Sequence, residues 1–387
     1  MDSLFSSQPL AESAQSVRFP EDLEALYLLL QDAAEGSGDS IRHVLNQAEQ
    51  GKGLDLEEAA LLLMAGTEWS DRIFQKAGDL NWRVKGKQVT FYGVVYIHDY
   101  CVNICTYCGD SKHAYFSKRR LLSAAEFRTD VKALLDRHPL KEICVLMGED
   151  PRRFDFDDLL AYLSSITEFY DGEIILNIPP LSTRRFTELR ARIPEKNRLQ
   201  FRVFQETYDR DVYAREHSEG PKKDYAWRVA SQARALEAGI NEAGHGVLYG
   251  INDKMNGSEF DTLAMIAHAQ YLHRQFGRWP RSMSFPRVQP APDIDFHPRV
   301  SISTDRLVRF VSVAKLAAPQ IDTIITCREA AEVRRRIRPV VNIEDFAARP
   351  GPGGNSIAEV RQQMFLPDMR SGEEVRREML DDGYFIR

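Results

Sequence analysis

Three thiols offer the most distinctive chemistry in this chain. Cys101, Cys105 and Cys108 lie in the run Tyr-Ile-His-Asp-Tyr-Cys-Val-Asn-Ile-Cys-Thr-Tyr-Cys-Gly, Tyr96 to Gly109, at the spacing C-x3-C-x2-C. One short loop can hold one metal centre. A structural zinc site closes with four ligands, and no fourth cysteine is near: Cys144 lies in an apolar run and Cys327 far along the chain. Thiolates also hold iron–sulfur clusters, and a four-iron cluster held by three of them keeps one iron open to a further ligand. A degenerate zinc loop or a chance spacing is the competing reading.

The loop needs a rigid support. Val89 to Ile97 is rich in β-branched and aromatic residues and reads as a strand, from which the cysteine loop departs. Further candidate strands are Glu142 to Met147, Gly172 to Ile178, Leu199 to Gln205, Glu242 to Tyr249, Ser282 to Pro286, Ile321 to Thr326 and Val340 to Ile343. Helical patterns alternate with them over Ala124 to Arg137, Phe156 to Tyr170, Asp224 to Ala238, Ser258 to Phe276 and Thr304 to Ala318. About eight such repeats predict an α/β fold, a (β/α)8 TIM-type barrel complete or nearly so. Chemistry in such barrels gathers at the C-terminal strand ends. Polar residues stand at five of those ends: Gly148-Glu149, Asn177, Gln205-Glu206-Thr207, Arg287 and Arg328-Glu329.

Ahead of the barrel, residues 21 to 84 read as a helical N-terminal extension with breaks at Gly36 to Ser40 and Gly51 to Gly53, and residues 1 to 20 as a flexible tail. The barrel with its C-terminal segment is expected to occupy 85 to 387.

The cysteine spacing, with Tyr107 just before the last cysteine, resembles the signature of the radical S-adenosylmethionine (radical SAM) superfamily. The resemblance implies one [4Fe-4S] cluster on Cys101, Cys105 and Cys108, whose open iron chelates the methionyl end of S-adenosylmethionine. Within the superfamily the chain is similar to the aromatic amino acid lyases, a group holding the 2-iminoacetate synthase (tyrosine lyase) of thiamine biosynthesis, the hydrogenase-maturation tyrosine lyase and the nosiheptide tryptophan lyase. The likeness runs from about residue 85 to 385. It includes Asn177-Ile178 with Pro180-Leu181-Ser182, Phe204-Gln205-Glu206-Thr207-Tyr208-Asp209, Phe285-Pro286-Arg287, Thr326-Cys327-Arg328-Glu329 and Phe365-Leu366-Pro367-Asp368-Met369-Arg370.

That resemblance assigns roles. Cofactor contacts would come from Tyr107, Gly148, Glu149, Asn177, Glu206 and Arg228, with Glu149 taking the methionyl amino group and Arg228 its carboxylate, and Lys222 less clearly involved. Arg328 would clamp the carboxylate of the amino acid substrate while Tyr96 approaches its amino group. A 5'-deoxyadenosyl radical would then take hydrogen from that amino group, and the substrate would break at Cα–Cβ or at Cα–C(carboxyl). Tyrosine or tryptophan is the expected substrate. A related enzyme with a non-aromatic or modified substrate, or an iron–sulfur scaffold without turnover, stays open. An electron donor such as flavodoxin or ferredoxin is implied, and a biosynthetic partner protein is left open.

Composition narrows the classes. Hydrophobic content of 43% with 28% charged residues is that of an ordinary globular protein. A net charge of -6 argues against a general nucleic-acid binder, and no run of about 18 apolar residues predicts a membrane span. The N-terminus lacks the basic and apolar regions of a secretory signal, and five cysteines with three clustered are no disulfide framework, so a reducing cytoplasm is expected.

Departures from the lyase pattern leave the substrate open. No cysteine follows Cys327, which excludes a second thiolate-bound cluster there. His98-Asp99 replaces a small polar pair, and specificity is expected to differ at that point. Asp209 agrees with the tryptophan lyase rather than the tyrosine lyases. Glu344 and Asp345 fall where relatives place a Ser near the substrate carboxylate, which they would repel unless the substrate carried a further cation. Cys144 reads as a core thiol and Cys327 as a small packing residue.

Overall fold

The structure, a computed structural model, describes residues 19–114, 118–346 and 348–387. Of the tail expected over 1–20, all but Phe19 and Pro20 lies outside the described residues.

Eight parallel strands form the barrel: β1 Gln88–Tyr96, β2 Glu142–Leu146, β3 Glu173–Asn177, β4 Leu199–Arg202, β5 Glu242–Gly246, β6 Ser282–Ser284, β7 Asp322–Ile325 and β8 Ile343–Asp345. Each pairs with the next, and β8 closes on β1 with Thr90 opposite Ile343 and Tyr92 opposite Asp345. The strands are short and largely buried because both faces are covered, by the barrel interior and by the outer helices; β2 and β3 are mainly apolar, whereas β4, β5, β6 and β8 carry buried polar residues such as Gln200, Arg202, His245, Ser282 and Glu344. A last strand, Phe385–Ile386, adds to the start of β1 with Gln88 opposite Phe385.

All eight expected strands are present, with trimmed ends. The last is displaced, because Arg338–Val340 is a single 3-10 turn built around Pro339 and the ladder begins only at Ile343. The helical pattern over 224 to 238 divides into Tyr225–Val229 and Ser231–Glu237. Ser303, Ser123 and Asp155 cap Thr304–Ala317, Ala124–Arg137 and Phe156–Thr167, each side chain accepting a backbone N–H of the first turn.

Before the barrel, helices Ala25–Ala33, Gly38–Ala48, Leu56–Met64 and Ser70–Lys85 share one apolar core with two barrel helices, Gly257–Phe276 and Thr304–Ala317. Leu26, Leu30, Leu63 and Ile73 pack with Leu263, Ile266, Phe310 and Val311 in that core. Gly257–Phe276 is therefore buried almost all round, which explains its lack of an amphipathic stripe. The expected break at 36 to 40 is shorter than read: Ser37 is an N-cap and Gly38 already helical.

Candidate active site

The C-terminal strand ends open into one cavity, about 1110 Å³ counting its open mouth. All eleven residues singled out in the sequence line it: Tyr96, Cys101, Cys105, Tyr107, Cys108, Gly148, Glu149, Asn177, Glu206, Arg228 and Arg328. Apolar walls come from Leu146, Ile178, Val203, Phe204, Leu248 and Val288.

The cysteine loop is held from several sides. Ile104–Cys105 pairs antiparallel with His217–Glu219. Thr106 N–H donates to Glu216 O at 3.1 Å, and buried Glu216 is itself clamped by Arg299 at 2.5 Å and Arg215 at 2.8 Å. Gly148 N–H donates to His98 O at 3.0 Å, and a Cβ on Gly148 would lie 2.1 Å from Tyr100 O. Gly148 is thus needed to let the β2 tip lie against the cysteine loop itself, a different reason from the close cofactor approach expected of it.

Opposite the thiols stands a buried charge network. Lys222 Nζ donates to Glu206 Oε1 at 2.8 Å and to Tyr107 Oη at 3.1 Å. Arg228 donates Nε to Phe204 O at 2.7 Å, with Nη2 3.8 Å from Glu206. Burial alone would raise the Glu206 pKa, but Lys222 and Arg228 outweigh it and hold the carboxyl below its usual range. Burial and nearby Lys222 push His217 well below its usual range, so its ring is neutral. Its Nδ1 donates to Tyr213 O at 2.8 Å, which leaves Nε2 to accept the Tyr107 hydroxyl at 2.7 Å.

Glu206 has a left-handed backbone, φ 72°, uncommon for a residue with a side chain. Asp261 holds the turn by accepting Thr207 Oγ1 at 2.9 Å and Tyr208 N–H at 2.7 Å. Strain of this kind persists where the surroundings over-determine it.

Arg328 differs from the other cations. Its guanidinium has no hydrogen-bond or ion-pair partner among the described residues, although it faces the cavity. The neighbouring Glu329 is taken by Arg287, whose Nε lies 2.9 Å from Oε2. The salt bridge to Glu329 that could have occupied Arg328 is therefore made by another arginine. Tyr96 closes the same cavity with its hydroxyl 3.3 Å from Gln363 Oε1, and burial keeps that phenol neutral.

Several sequence expectations fail here for plain geometric reasons. Gln205, Thr207, Arg287 and Glu329 do not line the cavity, so not every polar strand tip points inward. His98 and Asp99 do not line it either: His98 packs on Phe154 at 5.2 Å and Asp99 accepts Arg120 N–H at 2.7 Å. Glu344 pairs with Arg334 at 2.6 Å, and Asp345 accepts Cys327 N–H at 2.6 Å, so neither acid reaches the cavity. Asp209 caps helix Arg210–Glu216 and receives the Tyr27 hydroxyl at 3.0 Å. It therefore says nothing about tyrosine or tryptophan.

Two amides escaped the sequence reading. Asn103 Nδ2 lies 3.5 Å from Cys101 Sγ and 2.7 Å from Glu149 Oε2. Gln363 Nε2 lies 3.5 Å from Cys108 Sγ and 2.8 Å from Asp110 Oδ2. Asn103 stands between two of the cysteines and was open to notice. Gln363 follows Cys108 by 255 residues, beyond any local signal.

Residues 95–259, which span the loop and the strand tips through β5, match the Radical SAM superfamily. These residues thus form a radical SAM domain. Among curated relatives, the 2-iminoacetate synthase of Escherichia coli (strain K12) is 28% identical over 327 residues, covering 84% of each chain. The crystal structure of HydG, a maturase of the [FeFe]-hydrogenase, superposes with TM-score 0.86 at 28% identity over 96% of this chain and 80% of that one. Methylornithine synthase (PylB), at 18% identity and TM-score 0.70, shares the fold.

Radical SAM proteins use a [4Fe-4S] cluster and S-adenosylmethionine, and the residues present fit both. All three loop cysteines are free thiols in one cavity. Among the described residues no group of three or more His, Cys, Asp or Glu side chains is arranged to hold a single metal ion. Burial pushes the Cys105 thiol up to about 11, so metal charge is needed to displace its proton.

Proposed function

We propose that this radical SAM protein is a carbon–carbon lyase acting on an L-amino acid, tyrosine or tryptophan. The observation that carries the reading is that the guanidinium of Arg328, without a partner among the described residues, lines with Tyr96 the cavity that also holds the three thiols. When bound, the cluster and S-adenosylmethionine would supply the radical chemistry that removes hydrogen from the substrate amino group.

The protein's part is to bind, orient and exclude water. Cys101, Cys105 and Cys108 hold the cluster. Glu149 accepts the methionyl amino group, Arg228 faces its carboxylate, and Glu206, Asn177 and the Tyr107 ring wall the adenosyl end. Arg228 suits a carboxylate because its Nε is already anchored on Phe204 O and the terminal nitrogens remain at the cavity. Arg328 takes the substrate carboxylate and Tyr96 its amino group, so the charged ends of the amino acid are fixed before reaction.

An uncharged side chain suits the cavity. Glu206 is paired with Lys222 and Asp110 with Arg361, at 2.8 Å each. A substrate with a second cation would find neither acid free, while Leu146, Ile178, Val203 and Leu248 offer apolar surface. One relative is named for its product, 2-iminoacetate, an imino acid of the kind that Cα–Cβ cleavage of an α-amino acid leaves, which supports the lyase reading.

Among the described residues no helix is long and apolar enough to cross a membrane. A cytoplasmic setting with flavodoxin or ferredoxin as one-electron donor meets the needs of an oxygen-sensitive cluster.

The test is anaerobic reconstitution with dithionite and S-adenosylmethionine against tyrosine, tryptophan and a pool of other amino acids. 5'-Deoxyadenosine with p-cresol and glyoxylate marks a tyrosine Cα–Cβ lyase, and indole derivatives a tryptophan enzyme. Absence of 5'-deoxyadenosine with every amino acid would sink the proposal.

A further inference from the structure

The segment after β8 returns to the cysteine loop and lies across it. Arg361 Nη1 pairs with Asp110 Oδ1 at 2.8 Å and lies 3.5 Å from Asp99 Oδ2. Gly109 admits this approach, since a Cβ there would lie 2.2 Å from Gln363 O. Pro350 O accepts Gln363 N–H at 2.7 Å, which fixes the backbone from which the Gln363 side chain enters the cavity.

The orientation of the Gln363 amide follows from its neighbours. The NH2 end faces Asp110 Oδ2 at 2.8 Å, the oxygen of that carboxyl which Arg361, on Oδ1, leaves open to accept. The same nitrogen then lies 3.5 Å from Cys108 Sγ, within reach of a sulfur acceptor. Its carbonyl is turned the other way and takes the Tyr96 hydroxyl hydrogen at 3.3 Å. With that hydrogen committed, the Tyr96 oxygen presents its lone pairs to the cavity.

We propose that Gln363 is a positioning residue that sets the hydrogen-bond polarity of Tyr96 and, through the same amide, tunes the cluster through Cys108. The first half rests on the reading of Tyr96 as the contact for the substrate amino group; the second does not. A tyrosine whose hydrogen is held by a carbonyl can accept from an amino group, whereas a freely rotating hydroxyl presents donor and acceptor alike. An N–H donated to a cluster sulfur stabilises the reduced state, because reduction increases the negative charge on that sulfur. One side chain thereby joins the substrate end of the cavity to the electron-accepting end.

The test compares wild type, Gln363→Leu and Tyr96→Phe, each reconstituted anaerobically and checked for iron and sulfide content. The cluster midpoint potential is read by an EPR-monitored redox titration without amino acid. The ratio of 5'-deoxyadenosine to amino acid product, and the KM for the amino acid, are read with it. Gln363→Leu should move the midpoint to a more negative value, raise KM about tenfold for the lost polarity and release more 5'-deoxyadenosine per product. Tyr96→Phe should raise KM and leave the midpoint at the wild-type value. Should Gln363→Leu fail to hold a cluster, Gln363→Met, closer in length and shape, is measured in the same way. A wild-type midpoint and product ratio in the glutamine variants would overturn the inference. If wild type itself turns over no amino acid, the proposed lyase activity fails, and the midpoint comparison still decides the role at Cys108.

Discussion

Lys222 Nζ meets Glu206 Oε1 at 2.8 Å beside the three thiols, at a residue whose own backbone is left-handed. Both side chains are nearly buried, 13% and 10% exposed, so removal of either partner strands a charge away from water. Lys222→Met should destabilise the fold by about 2–4 kcal/mol and weaken S-adenosylmethionine binding. The double variant Lys222→Met/Glu206→Gln should recover part of that stability. Denaturant unfolding of the three variants gives the coupling energy, and strict additivity would show that the pair does not interact.

Arg328 and Arg287 should separate function from stability. Arg328→Ala removes a guanidinium with no partner among the described residues, so stability should change by less than about 0.5 kcal/mol. Substrate-dependent turnover should vanish while slow uncoupled cleavage of S-adenosylmethionine continues. Arg287→Ala leaves Glu329, 1% exposed, without its cation and should cost about 3 kcal/mol. Thermal unfolding and product analysis on the same preparations check both, and loss of cofactor binding in Arg328→Ala would contradict the role given to it.

His98 predicts a pH dependence. Burial lowers its pKa from 6.5 to about 4, against a smaller opposing pull from Asp150. Between these values the unfolded chain binds the proton and the folded chain does not, so stability rises with pH in this window. The contribution is full above about pH 6.5 and is lost as pH falls toward 4. His98→Gln should flatten this part of the profile, a difference of about 2–3 kcal/mol at its largest. Parallel stability curves for variant and wild type from pH 4 to 7 would refute the assignment.

Gly148→Ala tests why the β2 tip carries a glycine. Its Cβ would meet Tyr100 O at 2.1 Å, a backbone atom of the cysteine loop that cannot swing aside as a side chain would. The variant should fold, yet retain markedly less iron after reconstitution. Wild-type iron content with weakened S-adenosylmethionine binding would instead favour a purely cofactor-facing role.

The regular alternation of strand-like and helical segments was enough to read the barrel, even though β4, β5, β6 and β8 carry buried polar residues such as Arg202, His245 and Glu344. Residues next to a recognisable motif or at a strand tip could be expected at the cavity, and Cys101, Glu149, Glu206 and Arg328 do line it. What sequence could not tell was which polar neighbour turns inward. At 328 and 329 the arginine faces the cavity and the acid faces Arg287, a choice set by a residue on another strand end. Unusual residues misled for a similar reason: His98, Asp209 and Glu344 depart from the lyase pattern yet serve packing, capping and a buried ion pair. Gln363 carried no local mark, since its meaning depends on a chain return of 255 residues.

The closure of β8 on β1 bears on how the protein is made. Thr90 and its partner Ile343 are separated by most of the chain, and the final strand at Phe385 also lands on β1. During synthesis the strand that launches the cysteine loop therefore waits for its second neighbour until β8 has emerged. Arg361 and Gln363 follow β8 in the chain. A nascent chain already carrying all three thiols thus presents a loop that lacks one wall and its strap. A cluster inserted at that stage would meet an accessible loop, which the segment carrying Arg361 and Gln363 would then cover.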